Sequence, residues 1–487
     1  MAATLTVLEL PNLFVLLDLV DCSGDPEATI GLASALYSLL QWLGKPRLLE
    51  RVGRVRDTAA AALSDTWTHA QFLGIDSRID QQLSRGRLRE ALEGAQQLLD
   101  RAWAAGEEAY PGADYDLAIA HFTLARVLRT AGGPEQSLPL LDEARQRFEA
   151  ITKEGPGEGA DRMASVCIAE RGDCLLGLGR LDQAAAAYED SIRRGAQIED
   201  ARQVAYAKGQ LGSVRLLQRR YSEALAAFAE ARERFSQLDE PGSVAAFWHQ
   251  TGILYQEVGE PERAEDAYRK SLAIWVRLGD ARQASTLGQL GSLYHYVLNR
   301  PEEAVAFHRQ AADQYVEMGD AANEGRVRSN LGDLLCSLRR FDEARREIRR
   351  AIECKEPSDQ AGEPWTTWAI LAEIETAAGN TAAAAEAKGK AIACYLAYRR
   401  DGGENHLPDG RIALAVTQPL LARNTAEPAA LLERLAADPG AAWLLPFVQA
   451  IQAIVTGSRD RTLAEAPELD YTMASEILFL IDALEPQ

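Results

Sequence analysis

Arg171–Ile192 reads RGDCLLGLGRLDQAAAAYEDSI, and Leu211–Arg232 reads LGSVRLLQRRYSEALAAFAEAR. Each opens on a small residue, runs through apolar-rich positions to a turn, and resumes with an alanine followed one helical turn later by an aromatic ring. The phrase returns as TGILYQEVGEPERAEDAYRKSL from Thr251, LGSLYHYVLNRPEEAVAFHRQA from Leu290 and LGDLLCSLRRFDEARREIRRAI from Leu331. A fainter copy, LAEIETAAGNTAAAAEAKGKAI, starts at Leu371. The anchor alanines Ala184, Ala224, Ala264, Ala304, Ala344 and Ala384 stand 40 residues apart. A fixed period of that length marks stacked supersecondary units, none of which buries its apolar face alone.

Each unit reads as two helices. The first ends at turns such as Leu178-Gly179-Arg180 or Val258-Gly259-Glu260-Pro261, where glycine closes one helix and proline opens the next. The second carries its packing residues at the anchor, at anchor+4 (Tyr188, Phe228, Tyr268, His308, Ile348) and at anchor+7 (Ser191, Ala231, Ser271, Ala311, Ala351, Ala391). These positions share one helical face. Small residues at two of them let helices approach, and the bulky one fills the gap. Gly252 and Gly291 are 39 apart while the alanines keep 40, so one extra residue is expected in the turn around Asn299.

These columns resemble the tetratricopeptide repeat, in the longer, roughly 40-residue form of kinesin light chains and of sensor arrays in bacterial NB-ARC/STAND-type regulators. The resemblance covers about residues 165–400. It implies an all-α fold, an α-solenoid in which antiparallel hairpins stack into a right-handed superhelix. Two divergent copies precede it, turning near Gly86 and Gly132, and a fainter hairpin is expected at Gly44-Lys45-Pro46. The organisation expected is a helical cap or degenerate repeat over 1–66, divergent repeats over 67–164, and the regular array over 165–400. A polar, glycine-rich linker follows over 401–411, then a helical capping segment over 412–487 in which Trp443, Leu444, Phe447, Ile451, Ile477, Phe479 and Leu480 are expected to cover the last repeat.

Composition excludes several function classes. Lys plus Arg number 52 and Asp plus Glu 72, giving 52 − 72 = −20, which argues against nucleic acid and against an anionic membrane surface as partners. No basic, apolar leader opens the chain, and a cytoplasmic location is expected. The six cysteines form no CxxC and are read as free, buried thiols. No phosphate loop, GxSxG or HExxH occurs, the six histidines are dispersed, and acidic pairs such as Glu265-Asp266 and Glu302-Glu303 fit exposed helix faces. No catalytic residue, metal ligand or cofactor is assigned.

One column is polar inside otherwise apolar first helices: Glu170, Gln210, Gln250, Gln289 and Asn330. The resemblance implies that first helices line a concave groove, where an amide, which donates and accepts, suits an extended peptide backbone. Bonding within the array is the alternative. His249, His295, Arg326 and Asp333 are expected beside this column, while Gly209 and Gly288 leave room for a ligand or for close helix contact. The set does not match the Lys/Asn/Arg clamp by which some members of the family grip a C-terminal carboxylate. The Arg339–Arg350 island, with Asp342, Glu343 and Glu347 interleaved, reads as a salt-bridged outer face. Two functions compete: a scaffold that binds a peptide or protein segment, or the sensor module of a larger signalling ATPase, suggested by the opening residues 8–13 (LELPNL). An ATPase or effector partner and self-association are both compatible with the sequence.

Overall fold

Forty-residue periodicity becomes helix hairpins throughout. The computed structural model describes residues 2–42, 46–63, 67–84, 86–154, 158–355 and 363–484, and every regular element among them is helical. The predicted turn at Gly44-Lys45 lies outside the described residues. Two units are present, Met1–Asp280 and Ala281–Gln487. The first holds α1 (Ala2–Cys22), α2 (Pro26–Trp42), α3 (Pro46–Ala61), α4 (His69–Ser84), α5 (Leu88–Ala105), α6 (Ala113–Thr130) and α7 (Pro134–Glu154). It continues with α8 (Glu158–Gly177), α9 (Leu181–Gln197), α10 (Ala201–Leu217), α11 (Tyr221–Gln237), α12 (Pro241–Glu257) and α13 (Pro261–Leu278). The second holds α14 (Gln283–Tyr296), α15 (Pro301–Met318), α16 (Ala321–Ser337), α17 (Phe341–Lys355), α18 (Pro364–Ala377) and α19 (Thr381–Arg400). It ends with α20 (Pro408–Leu421), α21 (Ala426–Ala437), α22 (Leu445–Val455) and α23 (Tyr471–Leu484).

The turns inside the hairpins share one backbone device. Gly179, Arg219, Gly259, Asn299, Arg339 and Gly379 occupy the same register and all have positive φ, between 50° and 82°. At the first of them Arg180 N–H returns to the Leu175 carbonyl at 2.9 Å, which satisfies a carbonyl left open at the helix end. The extra residue sits where the sequence places it: α14 ends five residues after Gly291, as the other first helices do after their glycines, and the surplus falls before Pro301.

Packing follows the columns. Ala184, Ala224, Ala264, Ala304 and Ala344 are fully buried, as are all six small residues at anchor+7. Ala384, the sixth anchor, is partly exposed. Gly172, Gly212, Gly252, Gly291 and Gly332 lie directly beneath Tyr188, Phe228, Tyr268, His308 and Ile348. A Cβ on any of them would come within 2.4–2.8 Å of that side chain. The glycine is therefore the socket for the ring of its own hairpin. In the last hairpin both halves change together: Ala372 replaces the glycine and Lys388 the bulky residue.

Lys388 serves the closing segment instead, its ammonium donating to the Leu469 carbonyl at 2.7 Å. Helices α20–α23 form their own core around Val416, Leu432, Phe447, Ile451 and Ile477, and α23 packs on α19. Fully buried Glu476 is ion-paired with Arg399, accepting from its Nη2 at 3.3 Å, and accepts from Asn405 at 3.0 Å, so the glycine-rich stretch expected to be a linker is pinned to the cap. Leu444, Phe447, Ile451, Ile477 and Leu480 are buried as expected and Phe479 stacks on Arg399, but Trp443 is 58% exposed. It lies in a 3-10 turn, Pro439–Leu444, which points successive side chains differently from an α-helix. Of the cysteines, Cys167, Cys174 and Cys354 are buried, Cys336 and Cys394 partly so, and Cys22 is exposed near the end of α1. No described helix is long and apolar enough to cross a membrane.

Candidate partner-binding surface

Helix contacts identify the inner face of each unit. In the first, α4, α6, α8, α10 and α12 touch in succession, and in the second α14, α16 and α18 do, while successive second helices stay farther apart. A stack whose first helices approach more closely than its second helices curves with the first helices inside. Gly209 makes one approach possible: a Cβ there would come 2.0 Å from the Phe247 ring, so this glycine serves helix contact. Gly288 is open, with only Val327 at 3.8 Å.

In the first unit the inner polar groups are largely committed to one another. Thr123 donates to Asp76 at 2.7 Å, Arg126 pairs with Asp80, and Arg129 donates to Glu170 at 3.0 Å. Asp173 accepts from the hydroxyls of Tyr188 and, at 2.8 Å, Tyr206, and Gln210 bonds Tyr206 in turn. Burial, reinforced by the neighbouring charge of Asp80, pushes the Asp76 carboxyl up to about 6. Burial also raises Glu170, against the pull of Arg129, and Asp173, against its two tyrosine donors. Glu170 thus ties neighbouring repeats together directly, while Gln210 braces Tyr206, on its own helix, which makes the link to Asp173. The side chain of Gln250, on the same column, makes no hydrogen bond to another described residue. His249, one residue earlier, turns toward its hairpin partner, its ring edge-on to Tyr268 at 5.5 Å, and burial depresses its pKa to about 4.

In the second unit the inner face is less committed. Gln289 and Asn330 are partly buried, and their side chains have no hydrogen bond to another described residue. Arg326 is exposed and donates to Asn323 at 3.1 Å. Asp333 accepts from Tyr296 at 3.4 Å, and His295 stacks on Tyr296 at 4.1 Å with its buried Nδ1 unpartnered. Four helices position these groups: α14 gives Gln289 and His295, α16 gives Arg326, Asn330 and Asp333, while α15 and α17 close behind them. The polar column by itself does not separate the bonded groups from the open ones: Glu170 is held from the preceding first helix by Arg129, and Gln210 from one turn earlier on its own helix by Tyr206.

Three of the six arginines of the island are ion-paired. Arg345 binds Glu375 at 2.8 Å and Asp342 at 2.7 Å, Arg340 binds Glu343 at 2.8 Å, and Arg350 binds Glu324 at 2.9 Å. Asp342 takes Arg345, three residues on, rather than Arg346. Among the described residues no three of His, Cys, Asp and Glu are grouped to hold a metal ion.

A family model, "Soluble NSF attachment protein, SNAP", matches residues 214–360, under a third of the chain. No curated protein matches in sequence. Solved structures similar to this chain include BtubC (BKLC) from P. vanneervenii, 22% identical, covering 48% of this chain and 92% of that one at a TM-score of 0.41. A Rap protein complexed with Competence and Sporulation Factor is 11% identical, covering 76% and 98% at 0.49. PH0952 of Pyrococcus horikoshii, a STAND protein with a tetratricopeptide repeat sensor, is 14% identical, covering 77% of this chain and 64% of that one at 0.46.

Proposed function

We propose that the chain is a non-catalytic binding scaffold whose inner, first-helix face holds an extended peptide or protein segment. The observation that carries this reading is the set of uncommitted amides, Gln250 in the first unit and Gln289 and Asn330 in the second. They are held on rigid helices at a fixed column and left without intramolecular partners among the described residues. A side-chain amide can donate to a peptide carbonyl and accept from a peptide N–H, so a column of them matches a backbone regardless of its sequence. Flanking groups such as Arg326 and Asp333 would then supply selectivity.

Selection of peptides from a displayed random library against the full chain tests this. Binders recovered from the selection should lose at least tenfold in affinity on Gln289→Ala plus Asn330→Ala, or on Gln250→Ala, while helical content and Tm stay within error. Retained affinity in both the double and the single variant would remove the amides from the binding role.

A further inference from the structure

The position eight residues after each anchor alanine is apolar in five copies: Ile192, Leu272, Ala312, Ile352 and Ile392. In the remaining copy it is Arg232. Two further departures meet it. Thr251 stands where four of the other five copies carry a leucine just before the small residue (Leu211, Leu290, Leu331, Leu371; Arg171 in the first), and Trp248 lies one turn before it on α12. The Arg232 guanidinium lies 3.9 Å from the Trp248 ring centre and donates through Nη1 to the Thr251 hydroxyl at 2.5 Å. That hydroxyl is itself committed, donating to the Phe247 carbonyl at 2.7 Å. Lys270, from α13, sits over the same ring at 4.6 Å and is balanced by Asp266 at 2.6 Å.

Arg232 has no carboxylate among the described residues, in a chain with 72 Asp and Glu and a net charge of −20. Its guanidinium is partly buried, and burial depresses its basicity, opposed by Tyr255 and by no carboxylate. A charge taken partly out of water without a counter-charge carries a desolvation cost, and the apolar residues of the other five copies show that packing at this position does not require it. The second unit supplies the control. Trp368 and Lys390 repeat the Trp–Lys pair at 4.5 Å, with Glu386 balancing the lysine at 3.0 Å. Ile352 there takes the place of Arg232, and the cleft of about 330 Å³ is lined by Ile352, Trp368, Leu371 and Lys390. The scaffold accepts an apolar residue at this position. A guanidinium packed over an indole face keeps N–H groups at its edge for a planar or tetrahedral oxyanion.

We propose that Arg232, Trp248, Thr251 and Lys270 form an oxyanion-binding site on the outer face of the first unit, taking a carboxylate or phosphate group on the free edge of the guanidinium. The site lies between α11, α12 and α13, away from the inner amides, and does not depend on them. Titration of the full chain with sodium phosphate, and separately with sodium acetate, at ionic strength held constant with sodium chloride, tests it by tryptophan fluorescence and by Tm. At least one anion should give a saturable change in wild type. That change should be absent in Arg232→Leu and at least tenfold weaker in Arg232→Lys, which keeps the charge and loses the fork. Arg232→Leu, which restores the apolar column, should melt no lower than wild type. Saturation by phosphate alone assigns a phosphate ligand, and saturation by acetate assigns a carboxylate. A linear response to both anions, an unchanged response in Arg232→Leu, or a lowered Tm or lost fold in that variant would each overturn the site.

Discussion

Hairpins α12–α13 and α14–α15 set the same column against the same kind of socket and fill it differently. In the first, Tyr268 lies over Gly252 and its hydroxyl reaches Gln256 at 3.1 Å, so the polar tip of a fully buried ring is satisfied. In the second, His308 lies over Gly291, equally buried, and neither ring nitrogen has a partner among the described residues. The column therefore selects for flat bulk above a glycine, and polarity at the tip is an added condition that His308 does not meet. An imidazole without a partner is tolerable only when neutral. Burial, with the positive neighbours His295 and Arg326, depresses His308 from 6.5 to about 4.

That contrast is broken most strongly by acid. A group whose pKa is lower in the fold than in the unfolded chain, when its charged form is the protonated one, supports stability above its unfolded value and loses that support as pH falls toward its folded value. For His308 the window runs from 6.5 down to about 4, and the shift corresponds to up to about 3 kcal/mol. Denaturant unfolding of wild type and His308→Phe across this window should diverge, the variant holding its stability as the wild type falls. Parallel curves would show that the imidazole carries no such penalty. A second comparison separates socket from ring. Gly252→Ala forces a Cβ to 2.5 Å from Tyr268, an overpacking expected to cost about 1–3 kcal/mol, and the midpoint of urea unfolding should drop accordingly. The reverse change in the last hairpin, Ala372→Gly, relieves no ring and should cost about 1 kcal/mol, the helix propensity difference alone.

The features legible in the sequence are those written as same-face spacing. Anchor and ring repeat on one face of the second helix, so the spacing alone marks Ala224 and Phe228 as packing residues, while the pairing of Phe228 with Gly212 is seen only in the structure. The salt-bridged character of the arginine island is legible for the same reason, although Asp342 pairs three residues on rather than four because rotamers choose between i+3 and i+4. The candidate surface is less so. Glu170 and Gln210 share a column with Gln289 and Asn330, yet the first two are held by Arg129 and Tyr206, and no spacing rule distinguishes a bonded amide from an open one. His249 likewise follows a polar pattern but turns to Tyr268 because its helical angle faces the second helix. The division at Asp280 has no sequence signal either, since the forty-residue phase runs through it; locally, α14 begins only at Gln283, after two turn residues.

The smallest effect expected tests how the column ends. Where the next element is another repeat, the socket is glycine and the plug is bulky. Where the next element is the cap, the plug is Lys388, whose ammonium reaches the Leu469 carbonyl at 2.7 Å just before α23 begins. Burial lowers the basicity of this lysine, with Asp470 and Glu468 opposing, so the charge is held there against a modest penalty. A hydrogen bond from a charged donor is worth about 1.5–3 kcal/mol, and removal of a partly exposed one should lose less, about 1 kcal/mol. Lys388→Met, which keeps the stem and deletes the charge, should therefore leave global unfolding nearly unchanged while speeding amide exchange in α23. Equal exchange in variant and wild type would mean that the apolar contacts of Ile477 and Leu480 alone hold the cap, and that the lysine replaces the ring for solubility rather than for docking.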